Sequence, residues 1–99
     1  MPLPAAGQAH SPAIALAANS GEVIGAASVC GVPEARLVAL GRKVIGFIRD
    51  LATSAEELRA AQAAHESAVQ RSAAVASRNK AEACGSAFNR FEELERRAE

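Results

Sequence analysis

Large apolar residues cluster in one stretch of the chain, and their spacing there is helical. Leu37, Leu40, Val44, Ile48 and Leu51 recur at intervals of three and four, joined by Val38, Ile45 and Phe47. That is the period of one helix face. Arg36, Arg42, Lys43 and Arg49 keep to the remaining surface. The pattern predicts an amphipathic helix over 33–52, opened by Pro33, which has no N–H to lose at a first helical position. Glu34 follows at the positive end of the helix dipole. Because this helix carries most of the large apolar residues, it is expected to be the central one. Gly41 and Gly46 weaken it locally and permit close approach of a neighbour.

Upstream, Asn19-Ser20-Gly21-Glu22 has the form of a capping box, with Asn19 as N-cap and Glu22 three residues later. It predicts a short helix over about 20–30, through Val23, Ile24, Ala27 and Val29. That helix would stop at Cys30-Gly31, where glycine suits the left-handed conformation. Downstream, Thr53/Glu56 and Ser54/Glu57 form two overlapping capping boxes. From Ala55 to about Arg97 the pattern stays helical without a proline, and one face collects Val69, Ala73, Ala76, Cys84, Ala87, Phe88, Phe91 and Leu94. Glu92/Arg96 and Glu93/Arg97 are i,i+4 pairs in the favourable order. A straight helix of this length would span roughly 65 Å. Either it overhangs its partners or it breaks near Asn79 or Gly85.

The expected fold is therefore all-α: a small three-helix bundle or helical hairpin over 20–30, 33–52 and 55–97. The N-terminal helix is short, the C-terminal one is long, and the first two pack across the third. Phe88, Phe91 and Leu94 mark a packing, coiled-coil or docking surface on the long helix.

Composition changes this picture in one respect. The chain has 99 residues, enough for one domain, and 49% of them are hydrophobic. However, 25 are Ala, against 21 for Leu, Ile, Val and Phe combined. Alanine buries little area, so the core is thin at roughly 25 cal/mol per Å². A staple or a second subunit would help, which makes a homodimer or a protein partner an expectation.

The formal charge is zero, with 11 basic and 11 acidic residues. That balance is not the footprint of a nucleic-acid or anionic-membrane binder. Charge is unevenly placed: within residues 1–33 only Glu22 is charged. Residues 1–18 read as a flexible leader, leaving 19–99 as a single helical domain. Ala13 to Ala18 is weakly apolar and holds two A-x-A patterns, so a signal-peptide remnant is the alternative reading. No Lys or Arg precedes it, and Pro2, Pro4, Gly7, His10 and Pro12 interrupt any hydrophobic region of a signal peptide. No apolar run reaches the length of a membrane span.

Candidate chemistry is sparse. His10 and His65 have no carboxylate, Cys or His partner at i+3 or i+4 suited to a metal. Gly21, Gly25 and Gly31 lack the flanking strand of a phosphate-binding loop. No Ser or Cys stands in a nucleophile elbow. No catalytic, metal or cofactor residue is assigned, and the chain is read as a non-enzyme.

Cys30 and Cys84 leave two readings open. In an exported chain they form a disulfide, and in a cytosolic one they are small buried hydrophobes. If the third helix folds back along the second, Cys84 comes near Cys30.

The sharpest local pattern is 23–40, which has the spacing of a DNA-binding helix-turn-helix. Ala27 sits where the helices would cross, Gly31 makes the turn, and Val32, Leu37 and Leu40 fill inner positions. The groove-facing residues would be Pro33, Glu34, Ala35, Val38 and Ala39. None makes a bidentate base contact, and Glu34 repels phosphate. A packing corner needs the same small residue and the same glycine.

Val29 to Leu37 (VCGVPEARL) and Cys84 to Glu95 (CGSAFNRFEELE) resemble a loose group of small, exported, two-cysteine helical proteins of bacteria. The resemblance extends over 20–97 and is distinctive only at these two ends. It implies an all-helical fold, a Cys30–Cys84 disulfide and a periplasmic or extracellular location, and it implies no activity.

The expectation is a non-catalytic, exported, disulfide-stapled helical protein with a structural or protein-binding role. The alternative is a cytoplasmic DNA-binding regulator, with a helix-turn-helix at 22–40 and a dimerising helix after it.

Overall fold

A computed structural model of the protein describes residues 11–99, and the part of the leader before Ser11 lies outside them. The described residues form four helices and no strand: α1 (Pro12–Val29), α2 (Glu34–Leu51), α3 (Ala55–Arg78) and α4 (Lys80–Arg97). The fold is all-α, as the helical spacing predicts. The three-helix architecture is not the one adopted, because the long C-terminal helix is two helices.

The first helix is not short. Ser11 is its N-cap, its Oγ accepting the Ile14 N–H at 3.2 Å, and Pro12 opens the first turn. Residues 12–18 are helical, so Asn19 is an exposed mid-helix residue and the Asn19/Glu22 capping box does not form. The helix prolongs itself through Ala13, Ala15, Ala17 and Ala18, whose residue type has the highest helix propensity.

At its other end Gly31 has φ +92°, and the Val32 N–H donates to the Ala27 carbonyl at 3.3 Å. This is the long-range bond of a Schellman turn, with Val32 and Ala27 both buried beneath it. Ser54 caps α3, accepting the Glu57 N–H at 3.0 Å. Glu57 in turn accepts from the Thr53 N–H at 2.8 Å, from the Thr53 hydroxyl at 2.6 Å and from the Ser11 hydroxyl. Of the two overlapping capping boxes it is therefore Ser54/Glu57 that forms, and it also fastens the start of α1 to the start of α3.

The long helix breaks at Asn79, which has φ −136° and ψ 60° and is the boundary residue of both α3 and α4. Gly85 lies within α4. The break reverses the chain. α3 runs in the same direction as α1, pairing Ser11 with Glu57, Ala17 with His65 and Gly25 with Val69. α4 runs opposite to α1, pairing Glu22 with Arg90 and Cys30 with Cys84.

The order is thus up-down-up-down, but the closest pair is α1 with α3, which would be diagonal in a square bundle. Together with contacts to α2 and α4, this makes α1 the central helix rather than α2. The physical reason lies in side-chain size. Large residues hold helices roughly 8–10 Å apart, whereas small ones let backbones meet.

At Gly21 a Cβ would lie 2.6 Å from the His65 carbonyl oxygen, and at Gly25 it would collide with that of Val69. By contrast, Gly41 and Gly46 have nothing within 4 Å of an added Cβ, so the close approach expected there occurs at the other glycine pair. Around this contact the core gathers Ala13, Ala17, Ile24, Ala27 and Ala61 with Leu40, Val44, Ile48 and Phe91.

Candidate functional site

Three constellations bear on function. The first is the corner between α1 and α2. Cys30 follows the last turn of α1 and Cys84 lies in the second turn of α4, with Cα atoms 5.3 Å apart and sulfurs at 2.02 Å, a disulfide distance. The antiparallel course of α4 along α1 brings them together. They do not meet through a fold-back along α2, the route that the three-helix arrangement requires.

The helix-turn-helix positions occupy the same corner. Ala27 is fully buried, Gly31 makes the left-handed turn and Leu37 is half-buried against the core. Glu34, Ala35, Val38 and Ala39, on the side that a groove would meet, are exposed. They form a solvent face with one acidic group and no side-chain donor.

The second constellation joins α2 to α4. Phe91 is fully buried and belongs to the core, Leu94 packs half-buried against it, and Phe88 is 38% exposed. The three therefore divide between packing and surface instead of forming one docking face. Between the two rings lies Arg36, its guanidinium carbon 5.5 Å from the centre of Phe88 and 5.4 Å from that of Phe91. Its Nε and Nη2 donate to the two oxygens of Glu95 at 3.2 and 2.5 Å, and Glu92 lies 3.9 Å away.

A bidentate guanidinium with aromatic faces beside it is an arrangement lysine cannot copy. The hydrogen bond from Arg36 holds the Glu95 carboxyl below the usual carboxylate range, with the Arg36 and Lys43 charges adding to it. The same bond raises Arg36 further above its ordinary value. The cluster clamps helices, since its charges are paired with each other.

The third constellation lies inside the α1–α3 contact. Ser20 is a fully buried polar residue, and its hydroxyl donates to the Leu16 carbonyl at 2.7 Å. His65 places Nδ1 3.2 Å from the Ala17 carbonyl oxygen and 3.4 Å from Ser20 Oγ. Two acceptors facing one ring nitrogen assign the proton to Nδ1. The pair therefore lacks the geometry of nucleophile activation, which needs the serine proton directed at an unprotonated ring nitrogen.

Among the described residues no three His, Cys, Asp or Glu side chains converge in a way that would hold a metal ion. No helix among them is long and apolar enough to cross a membrane.

The sequence reading missed three features. Arg36 pairs with residues nearly sixty positions away, and nothing local announces it. Ser20 carries a faint signal, a hydroxyl within an apolar helix. Gly21 and Gly25 carry a clear one: with Ala13 and Ala17 they place a small residue at every fourth position, the mark of a close helix contact. His10 lies outside the described residues. In comparisons with known proteins the chain matches no family model, no curated protein and no solved structure.

Proposed function

We propose that the protein is a non-catalytic helical module, stapled by Cys30–Cys84, that works in an oxidising compartment and acts by binding rather than by chemistry. The observation that carries this reading is the cysteine pair, whose sulfurs lie at disulfide distance across a sequence separation of 54. Disulfides persist outside reducing compartments, and a core rich in alanine gains more from one than a well-filled core does. The binding role is supported by apolar residues left partly in solvent, Val38, Phe47, Leu51 and Phe88, which suit a protein partner or a second copy of the chain. The resemblance to exported two-cysteine proteins points to the periplasm or the extracellular space.

Intact mass after thiol alkylation, without and with reductant, on protein from its native source tests this reading. The expected result is no label before reduction and two labels afterward on a monomer-sized chain. Two labels without reductant would overturn the staple and the compartment together. The cytoplasmic helix-turn-helix reading would then be next to test, by a salt-sensitive shift with duplex DNA.

A further inference from the structure

A cleft of about 280 Å³ opens between α1, α2 and α4, beyond the clamp that Arg36 forms. Its walls are apolar: Leu16 and Val23 from α1, Val44 and Phe47 from α2, and Leu94 from α4. Phe47 stays 41% exposed at its edge, although it is one of only three aromatic residues in a chain short of large side chains.

The rim carries two arginines, each ion-paired to a glutamate. Arg90 and Arg97 stand on the same face of α4, one helical turn to either side of Leu94, and Asn19 adds an amide. Each guanidinium has five donors, and each spends one nitrogen on an exposed glutamate. Arg90 Nη2 reaches Glu22 at 3.4 Å, and Arg97 Nη2 reaches Glu93 at 3.2 Å. Donors therefore remain for an incoming anion without either ion pair breaking. Glu93 on the same rim and the negative end of α4 limit the attraction, which favours a single negative charge over two.

We infer that this cleft binds an amphiphilic monocarboxylate, a medium-length acyl chain or an aryl acid, with its apolar body against Phe47, Val44 and Leu94 and its carboxylate between Arg90 and Arg97. Clefts between the helices of a bundle are common ligand sites, and this one lies near the small end of their range, which excludes long chains and sterol-sized ligands. The inference does not rest on the compartment, since the cleft would bind the same acid in a reduced or an oxidised surrounding.

The test is a titration of the full oxidised chain with sodium octanoate, followed by methyl NMR at Leu16, Val23, Val44 and Leu94, with 1-octanol as the uncharged control. Saturable shifts centred on those methyls are expected, with octanoate about tenfold tighter than octanol, the factor that one charge-assisted contact provides. The double variant Arg90→Gln/Arg97→Gln is expected to erase that preference and leave octanol binding unchanged. Phe47→Ala is expected to weaken both ligands by about tenfold. All three replaced side chains are exposed, so dispersed methyl spectra should show the variants folded. The inference is overturned if shifts fail to saturate below the micellar range, centre elsewhere on the molecule, or are as strong with octanol as with octanoate. The parent comparison decides even where a variant does not fold.

Discussion

At Gly25 and Gly21 the two most intimate helices of the molecule touch backbone to backbone. A Cβ at Gly25 would also come 2.9 Å from Ser72 Cβ, on top of its contact with the Val69 carbonyl, so neither a rotamer change nor a flexible side chain relieves it. Gly25→Ala and Gly21→Ala are each expected to destabilise the fold by about 1–3 kcal/mol in denaturant unfolding. Gly41→Ala and Gly46→Ala meet open space and are expected to stabilise α2 by about 0.5–1 kcal/mol each. Equal effects at all four positions would remove the argument for a glycine-mediated contact.

Also at residue scale, Glu57 has its carboxyl lowered from 4.5 to about 2, first by the Ser11 hydroxyl and then by Thr53. A depressed carboxylate stabilises the fold above its unfolded value, and that contribution fades as pH falls from about 4.5 toward 2. Glu57→Gln keeps an acceptor and removes the charge. It is expected to be less stable than the parent at pH 7, with the gap narrowing as pH approaches 2. A gap of constant size across that range would show that ionisation of Glu57 is not involved.

At the scale of elements, one residue and one side chain arrange the second half of the chain. Asn79 is the sole non-helical residue between α3 and α4, and the reversal there returns Cys84 and Phe91 to α1. A continuous helix would have carried both into solvent. Arg36 then ties α4 to α2 through Glu95, Phe88 and Phe91. The side chains are partly exposed, so solvent screening discounts the ion pair and the aromatic contacts supply a share comparable to it. Arg36→Lys keeps the charge and loses the planar fork. It is expected to lower stability by about 1 kcal/mol in urea titration, close to the effect of Arg36→Ala. Full retention in the lysine variant would mean that charge alone holds the two helices.

For the whole molecule, the question is how so little large apolar surface maintains four helices. Close α1–α3 contact recovers dispersion that small side chains otherwise forgo, and the Cys30–Cys84 disulfide proposed above would restrict the unfolded chain. Over a separation of 54 residues the chain-entropy model assigns that link about 4 kcal/mol. Reduction is therefore expected to lower the urea midpoint sharply, and a midpoint unchanged by reductant would show that the helices stand without it. Much of this architecture could be read in advance. The helical class, the buried α2 face through Leu40, Val44 and Ile48 and the Ser54/Glu57 cap all rest on local spacing, whereas Leu51, expected on that face, is exposed. The start of α1 could not, because Asn19-Ser20-Gly21-Glu22 satisfies a capping rule equally well in the middle of an alanine-rich helix.

What the sequence by itself determined was the local order from residue 20 onward: that 20–29, 34–51 and the stretch after Ala55 are helical, where Gly31 turns the chain, and that breakage near Asn79 was one of two outcomes for an overlong helix. Those properties depend on neighbours within a few positions. The tertiary structure alone decided which helix is central, which glycines are contact points, that Phe91 is core while Phe88 is surface, and that Arg36 and Glu95 meet. Each of these depends on which helix faces collide when four helices share one small core. That is settled by the combined volumes of residues far apart in the chain, a quantity no local pattern contains.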